Sequence, residues 1–191
     1  MLLVGRPVLA SLATLAAVHP RAGRTVLTAA RAADEGFMLQ ALLQAEAAAA
    51  AGEVPIGAVA VRDGEVLAVA HNKVEALQDA SAHAEMLCAR AAAAKSASWR
   101  LENTTLYCTV EPCPMCLAAM HAFRVERLVY GAPNARLGAV VGDLRAAQPL
   151  GELHPFHSVE VTGGVLAEPA AQLMQDFFRK RRSEPGKAQP R

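Results

Sequence analysis

The first acids of the chain introduce a segment in which apolar residues follow the spacing of a helix. Asp34 and Glu35 are acids of the kind that open a helix, and the apolar positions from Phe37 to Ala51 continue it. Gly52 stands where a residue in the left-handed conformation would end it. The sequence therefore predicts a first helix that begins at the two acids and stops at Gly52.

The spacing then changes to that of strands. Two β-rich runs, Ile56 to Val61 and Val66 to Ala70, flank an Asp-Gly pair at 63–64, which is a strong signal for a β-hairpin. After a polar loop at 71–81, the pattern predicts a helix from His83 to Ala94, a strand from Thr104 to Val110 and a short helix from Pro114 to Phe123. Strands from Arg127 to Gly131 and from Val159 to Thr162 follow. The chain closes with a helix from Pro169 to Arg182, in which Leu173, Phe177 and Phe178 are expected to face inward. This order indicates an α/β sandwich with a mixed sheet of about five strands.

Charge divides the 191 residues into three parts. Residues 1–33 carry four arginines and no acid, residues 34–178 carry nine basic and seventeen acidic residues, and residues 179–191 carry six basic residues and one acid. The acid-free start is typical of an organelle transit peptide, although an extension from an upstream start codon would look the same. We expect one domain at 34–182, preceded by a transit peptide or disordered extension and followed by a flexible basic tail at 183–191.

Composition excludes several classes of protein. Hydrophobic residues make up 53% of the chain, but no run of about 18 apolar residues is free of charge and proline, so no membrane span is predicted. The net charge of +1 excludes a histone-like polycation. Four cysteines, two of them in a Cys-x-x-Cys pair, are too few and too unevenly spaced for a secreted disulfide scaffold. Reduced thiols or metal binding fit better.

Two short clusters carry residue types that are used in metal chemistry: His-Ala-Glu at 83–85 and Pro-Cys-Pro-Met-Cys at 112–116. Because Cys113 and Cys116 are three residues apart, they share one face of a helix whose first position is proline. The positive end of that helix lowers the pKa of both thiols and favours the thiolate, the form that binds metals. We expect His83, at the entry of the other helix, to supply a third ligand.

Three protein ligands leave a fourth tetrahedral position for water, which is the arrangement of a catalytic zinc site. Zinc lowers the pKa of its bound water toward about 7 and so provides hydroxide at neutral pH. Deamination also needs a carboxyl group that moves protons without binding the metal, and Glu85 is placed for that beside His83. His-x-Glu followed by Pro-Cys-x-x-Cys is the pattern of zinc nucleobase deaminases. The cysteine pair alone would also fit a structural zinc knuckle or a redox pair.

At these residues the chain resembles the cytidine deaminase superfamily and, within it, the bacterial-type tRNA adenosine deaminases, which form inosine at the anticodon wobble position. The resemblance runs from about Phe37 to Arg182. Its segments are GEVPIGAV at 52–59, HNKVE at 71–75, DASAHAEM at 79–86, WRLENTTLYCTVEPCPMC at 99–116, RLVYGAPNARLGA at 127–139 and FFRKRR at 177–182. It implies a three-layer α/β/α sandwich with a mixed five-stranded sheet, one Zn²⁺ per chain and hydrolytic deamination of adenosine.

The resemblance also assigns residues to the substrate. Asn72 resembles the family residue that hydrogen-bonds the flipped nucleoside, although a turn residue at the end of the hairpin is the other interpretation. Ile56, Gly57 and Ala58 would line the pocket, and the backbone of Ala84 would lie near the base. Such a pocket can grip an unpaired anticodon base after it leaves its stack, at a cost of a few kcal/mol.

Asn134 and the His-Pro-Phe-His segment at 154–157 are similar to the plastid members, whereas bacterial members usually carry Asp at the position of Asn134. We hypothesise that losing this carboxylate near the substrate strand eases the repulsion of phosphate and loosens substrate demands. Together with the acid-free amino terminus, the similarity implies a plastid location and an organellar tRNA-Arg substrate. A mitochondrial location, or a cytoplasmic one without a transit peptide, is the alternative.

Four consecutive cations, Arg179, Lys180, Arg181 and Arg182, follow two phenylalanines. They fit either a solvated helix end, favoured by the helix dipole, or a phosphate clamp on the anticodon stem-loop of tRNA. The resemblance also implies a homodimer whose partner completes the site.

Two other functions stay open at this point. One is a deaminase of free guanine, cytosine or their nucleosides, which would share both motifs but would not need the basic carboxyl-terminal helix. The other is a non-catalytic, zinc-stabilised RNA-binding subunit, which could dispense with Glu85.

Overall fold

The computed structural model describes residues 20–140 and 157–183. Its elements, in chain order, are α1 Pro20–Ala50, β1 Gly57–Arg62, β2 Glu65–His71, α2 Val74–Leu77, α3 Ala84–Lys95, β3 Thr104–Val110, α4 Pro114–Phe123, β4 Arg127–Ala132, β5 Glu160–Gly163 and α5 Ala167–Ser183. Parts of the predicted presequence and tail, and the histidine segment up to position 156, lie outside the described residues. None of the described helices is long and apolar enough to cross a membrane.

The five strands form one mixed sheet in the order β2-β1-β3-β4-β5. β1 pairs antiparallel with β2 and β3, whereas β4 pairs parallel with β3 and β5. Arg62 pairs with Glu65 across a two-residue turn in which Asp63 and Gly64 have positive φ angles of 53° and 79°. Positive φ at both positions is the conformation for which an Asp-Gly turn is favoured, so the predicted hairpin is confirmed.

Helices cover both faces of the sheet. Successive side chains of a strand point to opposite faces, and in β1 the residues Ala58 and Ala60 pack with α3 and α4, whereas Val59 and Val61 pack against α1. α5 covers the same face as α1 through Ala170, which packs near Leu42. The predicted three-layer α/β/α sandwich is therefore confirmed.

The first helix begins earlier than the sequence predicted. Asp34 and Glu35 lie inside α1 because the alanine-rich segment before them favours continuation of the helix. The Asp34 carboxylate is buried and accepts hydrogen bonds from the Tyr107 hydroxyl at 2.9 Å and from two Arg127 nitrogens at 2.8 Å. Burial opposes ionisation, but these hydrogen bonds hold the pKa of Asp34 below its ordinary value. Gly52, with a φ of 80°, ends the helix as predicted.

Two further predictions need correction. The loop predicted at 71–81 contains the end of β2 and the short helix α2. In α5, Ala170 is the buried residue, Leu173 and Phe177 are half-buried, and Phe178 is 39% exposed rather than inward. Phe178 instead borders a cavity that is also lined by His83, Glu85 and Cys113.

Candidate active site

Two helix entries bring the predicted metal ligands together. His83 is the N-cap of α3 and Cys113 is the N-cap of α4, and both have extended backbone angles. Pro114 occupies the first turn of α4, where the missing N–H costs nothing, and Cys116 follows in the same turn. His83 therefore lies at the entry of α3, where the sequence analysis expects the third ligand.

The donor atoms of the three residues lie at the spacing of a tetrahedral ion. The Nδ1 atom of His83 is 3.7 Å from Sγ of Cys113 and 3.5 Å from Sγ of Cys116, and the two sulfurs are 3.6 Å apart. With zinc–sulfur bonds of about 2.3 Å and zinc–nitrogen bonds of about 2.0 Å, tetrahedral ligand atoms are separated by roughly 3.5–3.8 Å. Among the described residues, these three form the only cluster of this kind that could hold a metal ion.

The hydrogen bond between the two thiols shifts their pKa values in opposite directions. The hydrogen bond with Cys116, and then the one with His83, lower the pKa of Cys113 to about 4 against the effect of burial. The same contact raises the pKa of Cys116, and the hydrogen bond with Cys113 raises the pKa of His83. With both cysteines as thiolates, the two sulfurs and the imidazole are a donor set that suits zinc. Binding of zinc would release the remaining thiol proton.

Glu85 lies beside the cluster but is not part of the ligand set. It is 4% exposed, and its Oε2 atom has no hydrogen-bond partner among the described residues. Burial raises the pKa of this carboxyl group. A buried polar atom without a partner is costly in a native structure and calls for a functional explanation. Transfer of protons to a bound molecule is such an explanation.

A cavity of about 880 Å³ opens onto the cluster, large enough for a nucleoside and its neighbours. Several predicted site residues line it: Ile56, Asn72, His83, Glu85, Cys113, Asn134, Arg179 and Arg182. The wall is completed by Val54, Val74, Glu75, Arg136, Leu137, Met174, Gln175 and Phe178, and by the acids Glu53 and Glu111. The cavity thus extends from His83 and Cys113 to the basic end of α5.

Three predicted substrate residues lie behind the cavity wall. Gly57 donates its N–H to the Thr109 hydroxyl at 3.1 Å, and a Cβ atom at this position would clash with the carbonyl oxygen of Ala41. Ala58 and Ala84 are fully buried in the core between the sheet and α3. None of the three residues belongs to the lining of the cavity.

The four cations at the end of α5 divide into different environments. Arg179, which pairs with Asp176, and Arg182 line the cavity, whereas Lys180 is exposed and does not. Arg181 turns back and donates a hydrogen bond to the carbonyl oxygen of Gly52 at 3.0 Å, and it also lies over the Phe177 ring. Arg181 therefore ties α5 to the end of α1.

Sequence reasoning missed two buried carboxylates of the cavity wall. Glu53 is 2% exposed and Glu111 is 4% exposed. Glu111 accepts the N–H groups of Asn134 and Val140, both at 2.9 Å, and thus holds the loop that carries Asn134. Both acids stand within apolar runs of the sequence, and that position is the signal that could have identified them.

Comparison with known proteins agrees with this geometry. Residues 31–132 match the family model for the cytidine and deoxycytidylate deaminase zinc-binding region. A structure from a study of A-to-I editing by tRNA:A34 deaminases at the wobble position has a TM-score of 0.66 at 40% identity, covering 72% of this chain and 98% of that one. A guanine deaminase structure from Nitrosomonas europaea has a TM-score of 0.67 at 25% identity, covering 76% and 84%.

Curated relatives indicate to which group of the deaminase superfamily this chain belongs. The chloroplastic tRNA(adenine(34)) deaminase of Arabidopsis thaliana is 46% identical over 164 residues, which cover 79% of this chain but only 12% of that protein. The tRNA-specific adenosine deaminase of Bacillus subtilis (strain 168) is 44% identical over 151 residues, covering 79% of this chain and 92% of the relative. The resemblance predicted from the motifs is thus confirmed, and the chain is an enzyme that belongs to the tRNA-specific adenosine deaminases of the cytidine deaminase superfamily.

Proposed function

We propose that this enzyme deaminates adenosine to inosine at the wobble position of a tRNA and that it holds one Zn²⁺ per chain. The observation that carries the proposal is a single cavity that is lined by His83 and Cys113, two members of the cluster with Cys116, and by Glu85, which is outside that cluster. The similarity to tRNA-specific adenosine deaminases supports the substrate.

The residues of the cavity suit a hydrolytic reaction. Bound zinc would supply a water molecule acidic enough to act as a nucleophile at neutral pH. Glu85 would take a proton from this water at Oε2, which has no hydrogen-bond partner among the described residues, and deliver it to N1 of the adenine ring as C6 is attacked. It would then take the second proton from the hydroxyl group added at C6 and pass it to the amine, which leaves as ammonia. The burial of Glu85 matches this role because it favours the protonated form.

Substrate recognition would involve the walls of the cavity. The base, once out of the anticodon stack, would lie against Ile56 with the Asn72 amide beside the nucleoside. Gly57, Ala58 and Ala84 would support the cavity wall without lining it, because their small size lets β1 and α3 pack closely. Asn134 would border the substrate strand.

The function can be tested with a synthetic anticodon stem-loop of tRNA-Arg that carries adenine at the wobble position. We expect the zinc-loaded protein to convert this adenine, and not an adenine in the stem, into inosine, which is read as guanine on sequencing. Ammonia from free guanine, cytosine or nucleosides without inosine in the stem-loop would instead establish a free-base deaminase. Zinc binding without any deamination would establish a non-catalytic subunit.

The cations of α5 provide a second test, because only some of them border the cavity. Replacing Arg179 and Arg182 together by Ala is expected to raise the KM for the stem-loop about tenfold and to reduce the slope of log affinity against log salt by roughly 1.4. The matched control is Lys180→Ala, because Lys180 is an exposed cation of the same helix outside the cavity lining. If the slope of log affinity against log salt is unchanged in the double variant, the two arginines do not contact phosphate and belong to a solvated helix end.

Asn134 permits a test of charge alone. Its Oδ1 atom accepts the N–H groups of Arg136 at 3.3 Å and Leu137 at 3.1 Å, and an aspartate can make the same turn. We expect Asn134→Asp to lower deamination of single-stranded DNA about tenfold more than that of tRNA, equivalent to about 1.4 kcal/mol of added repulsion. A variant no more selective than the wild type would contradict the hypothesis.

Location and assembly belong to the same proposal. The chloroplastic relative and the acid-free composition of residues 1–33 support import into plastids and an organellar tRNA-Arg as substrate. A homodimer is what the resemblance implies, and the 37% exposure of Met115, in the first turn of α4 beside the cluster, gives a second copy an apolar contact.

A further inference from the structure

We propose that Glu53 is a positioning residue for the reaction, because its buried carboxylate fixes the orientation of the Asn72 side-chain amide. This inference rests on the proposed function, because the proposed function names the substrate that the cavity binds.

Three donors converge on the Glu53 carboxylate. Oε2 accepts hydrogen bonds from Nδ2 of Asn72 at 3.4 Å and from the N–H of Glu75 at 3.2 Å, and Oε1 accepts the N–H of Ala76 at 2.7 Å. Both Glu53 and Asn72 are nearly fully buried, at 2% and 4% exposure, and both line the cavity. All three donors are neutral, and no ion pair of Glu53 occurs among the described residues.

The chemistry of the acceptor determines how Asn72 points. An ionised carboxylate only accepts hydrogen bonds, whereas an amide has a donor end and an acceptor end. Nδ2 of Asn72 must therefore face Glu53, which leaves Oδ1 and the second N–H of the amide for other partners. With a group at position 53 that can also donate, the amide could turn over and present its ends in the opposite order.

The carboxylate is itself held in a fixed place. The N–H of Glu53 donates to the carbonyl oxygen of Ala48 at 2.9 Å, so the residue is part of the turn that ends α1. Arg181 of α5 donates to the carbonyl oxygen of Gly52 next to it. The N–H groups of Glu75 and Ala76 belong to α2, so the same carboxylate also holds the wall formed by Val74 and Glu75.

A double-mutant cycle separates positioning from a general structural role. The variants are Glu53→Gln, Asn72→Ala and the two together, measured as kcat and KM on the anticodon stem-loop with zinc content and urea unfolding alongside. Glutamine keeps the size of the side chain but replaces one acceptor oxygen with a donor. The matched control is Glu46→Gln, because Glu46 is an exposed acid of α1.

We expect Glu53→Gln to lower kcat/KM about 30-fold, mainly through kcat, with zinc content unchanged. In the Asn72→Ala background the same substitution should cost less than about twofold, because there is no amide left to orient. An equal loss in both backgrounds would overturn the inference and leave Glu53 as a structural brace. If Glu53→Gln does not fold, Glu53→Asp takes its place in the cycle, because the shorter side chain withdraws the acceptor from Nδ2 of Asn72. A loss of kcat/KM that disappears in the Asn72→Ala background supports the inference, and an equal loss in both backgrounds overturns it.

The outcome is distinguishable from a failure of the proposed function. A wild-type protein that does not act on the stem-loop overturns the proposed function, and the cycle is then measured on whichever base the protein does deaminate. A wild-type protein that acts on the stem-loop, with additive effects of the two substitutions, overturns only the role of Glu53.

Discussion

Glu85→Ala is expected to lose turnover while keeping both the bound metal and the fold. Glu85 is not among the three residues whose donor atoms cluster, so the variant retains the whole ligand set. Proton transfer by a positioned side chain contributes about 10²–10⁴-fold to a rate, and we expect a loss of kcat in that range. The measurement is inosine formation in the stem-loop, with zinc determined on the same sample.

The isosteric variant Glu85→Gln sharpens this prediction. Since Oε2 of Glu85 is buried without a partner among the described residues, replacing the carboxyl group removes no hydrogen bond from that atom. We therefore expect the free energy of unfolding to fall by less than about 1 kcal/mol, while kcat falls as far as in Glu85→Ala. Deamination retained by either variant, at normal zinc content, would remove the proton-transfer role from Glu85.

Local patterns in the sequence predicted most of the fold because the features concerned are short in range. The hairpin follows from an Asp-Gly pair that needs positive φ angles, and α4 follows from a proline at its first turn. Periodicity and capping chemistry carry this information within a few residues. The pairing of the two motifs comes instead from the pattern of zinc nucleobase deaminases, and that interpretation requires His83 to lie at a helix entry, where the structure has it.

Features that depend on contacts between distant segments could not be predicted in the same way. The sequence predicts that α1 starts at Asp34, because an acid often opens a helix, but this carboxylate binds Arg127, 93 residues further on. The four cations of α5 looked equivalent in the sequence, yet Arg181 reaches a carbonyl oxygen 129 residues away while Arg179 lines the cavity. Tertiary packing assigns such partners, and neither propensity nor spacing contains them.

The two buried acids of the cavity wall illustrate the same limit at the site. Glu53 meets Asn72 at a separation of 19 residues, and Glu111 meets the N–H of Asn134 at a separation of 23. The first contact joins the turn after α1 to the end of β2, and the second joins the segments that follow β3 and β4, so both exist only once these elements have packed together. A buried carboxylate in an apolar run nevertheless requires donors, and that requirement can guide the interpretation of related sequences.

Cys116→Ala is expected to lose the metal, and with it both activity and the stability that the metal supplies. Cys116 is 1% exposed and its sulfur lies within 3.6 Å of the other two donor atoms, and no fourth His, Cys, Asp or Glu among the described residues belongs to the cluster. Metal binding to the native state alone adds directly to its stability. We expect zinc below about 0.1 ion per chain after dialysis and a Tm that a chelator no longer lowers.

The matched control is Cys88→Ala, because Cys88 is a buried cysteine of α3 outside the cluster, with its thiol 3.5 Å from the carbonyl oxygen of Ala68. Both substitutions remove one buried sulfur, at a cost of roughly 1 kcal/mol in packing. Only Cys116→Ala should also lose the difference in Tm between the zinc-loaded and the chelator-treated protein. Normal zinc content in Cys116→Ala would refute its assignment as a ligand, whereas zinc loss in both variants would mean that the core, rather than the cluster, controls metal retention.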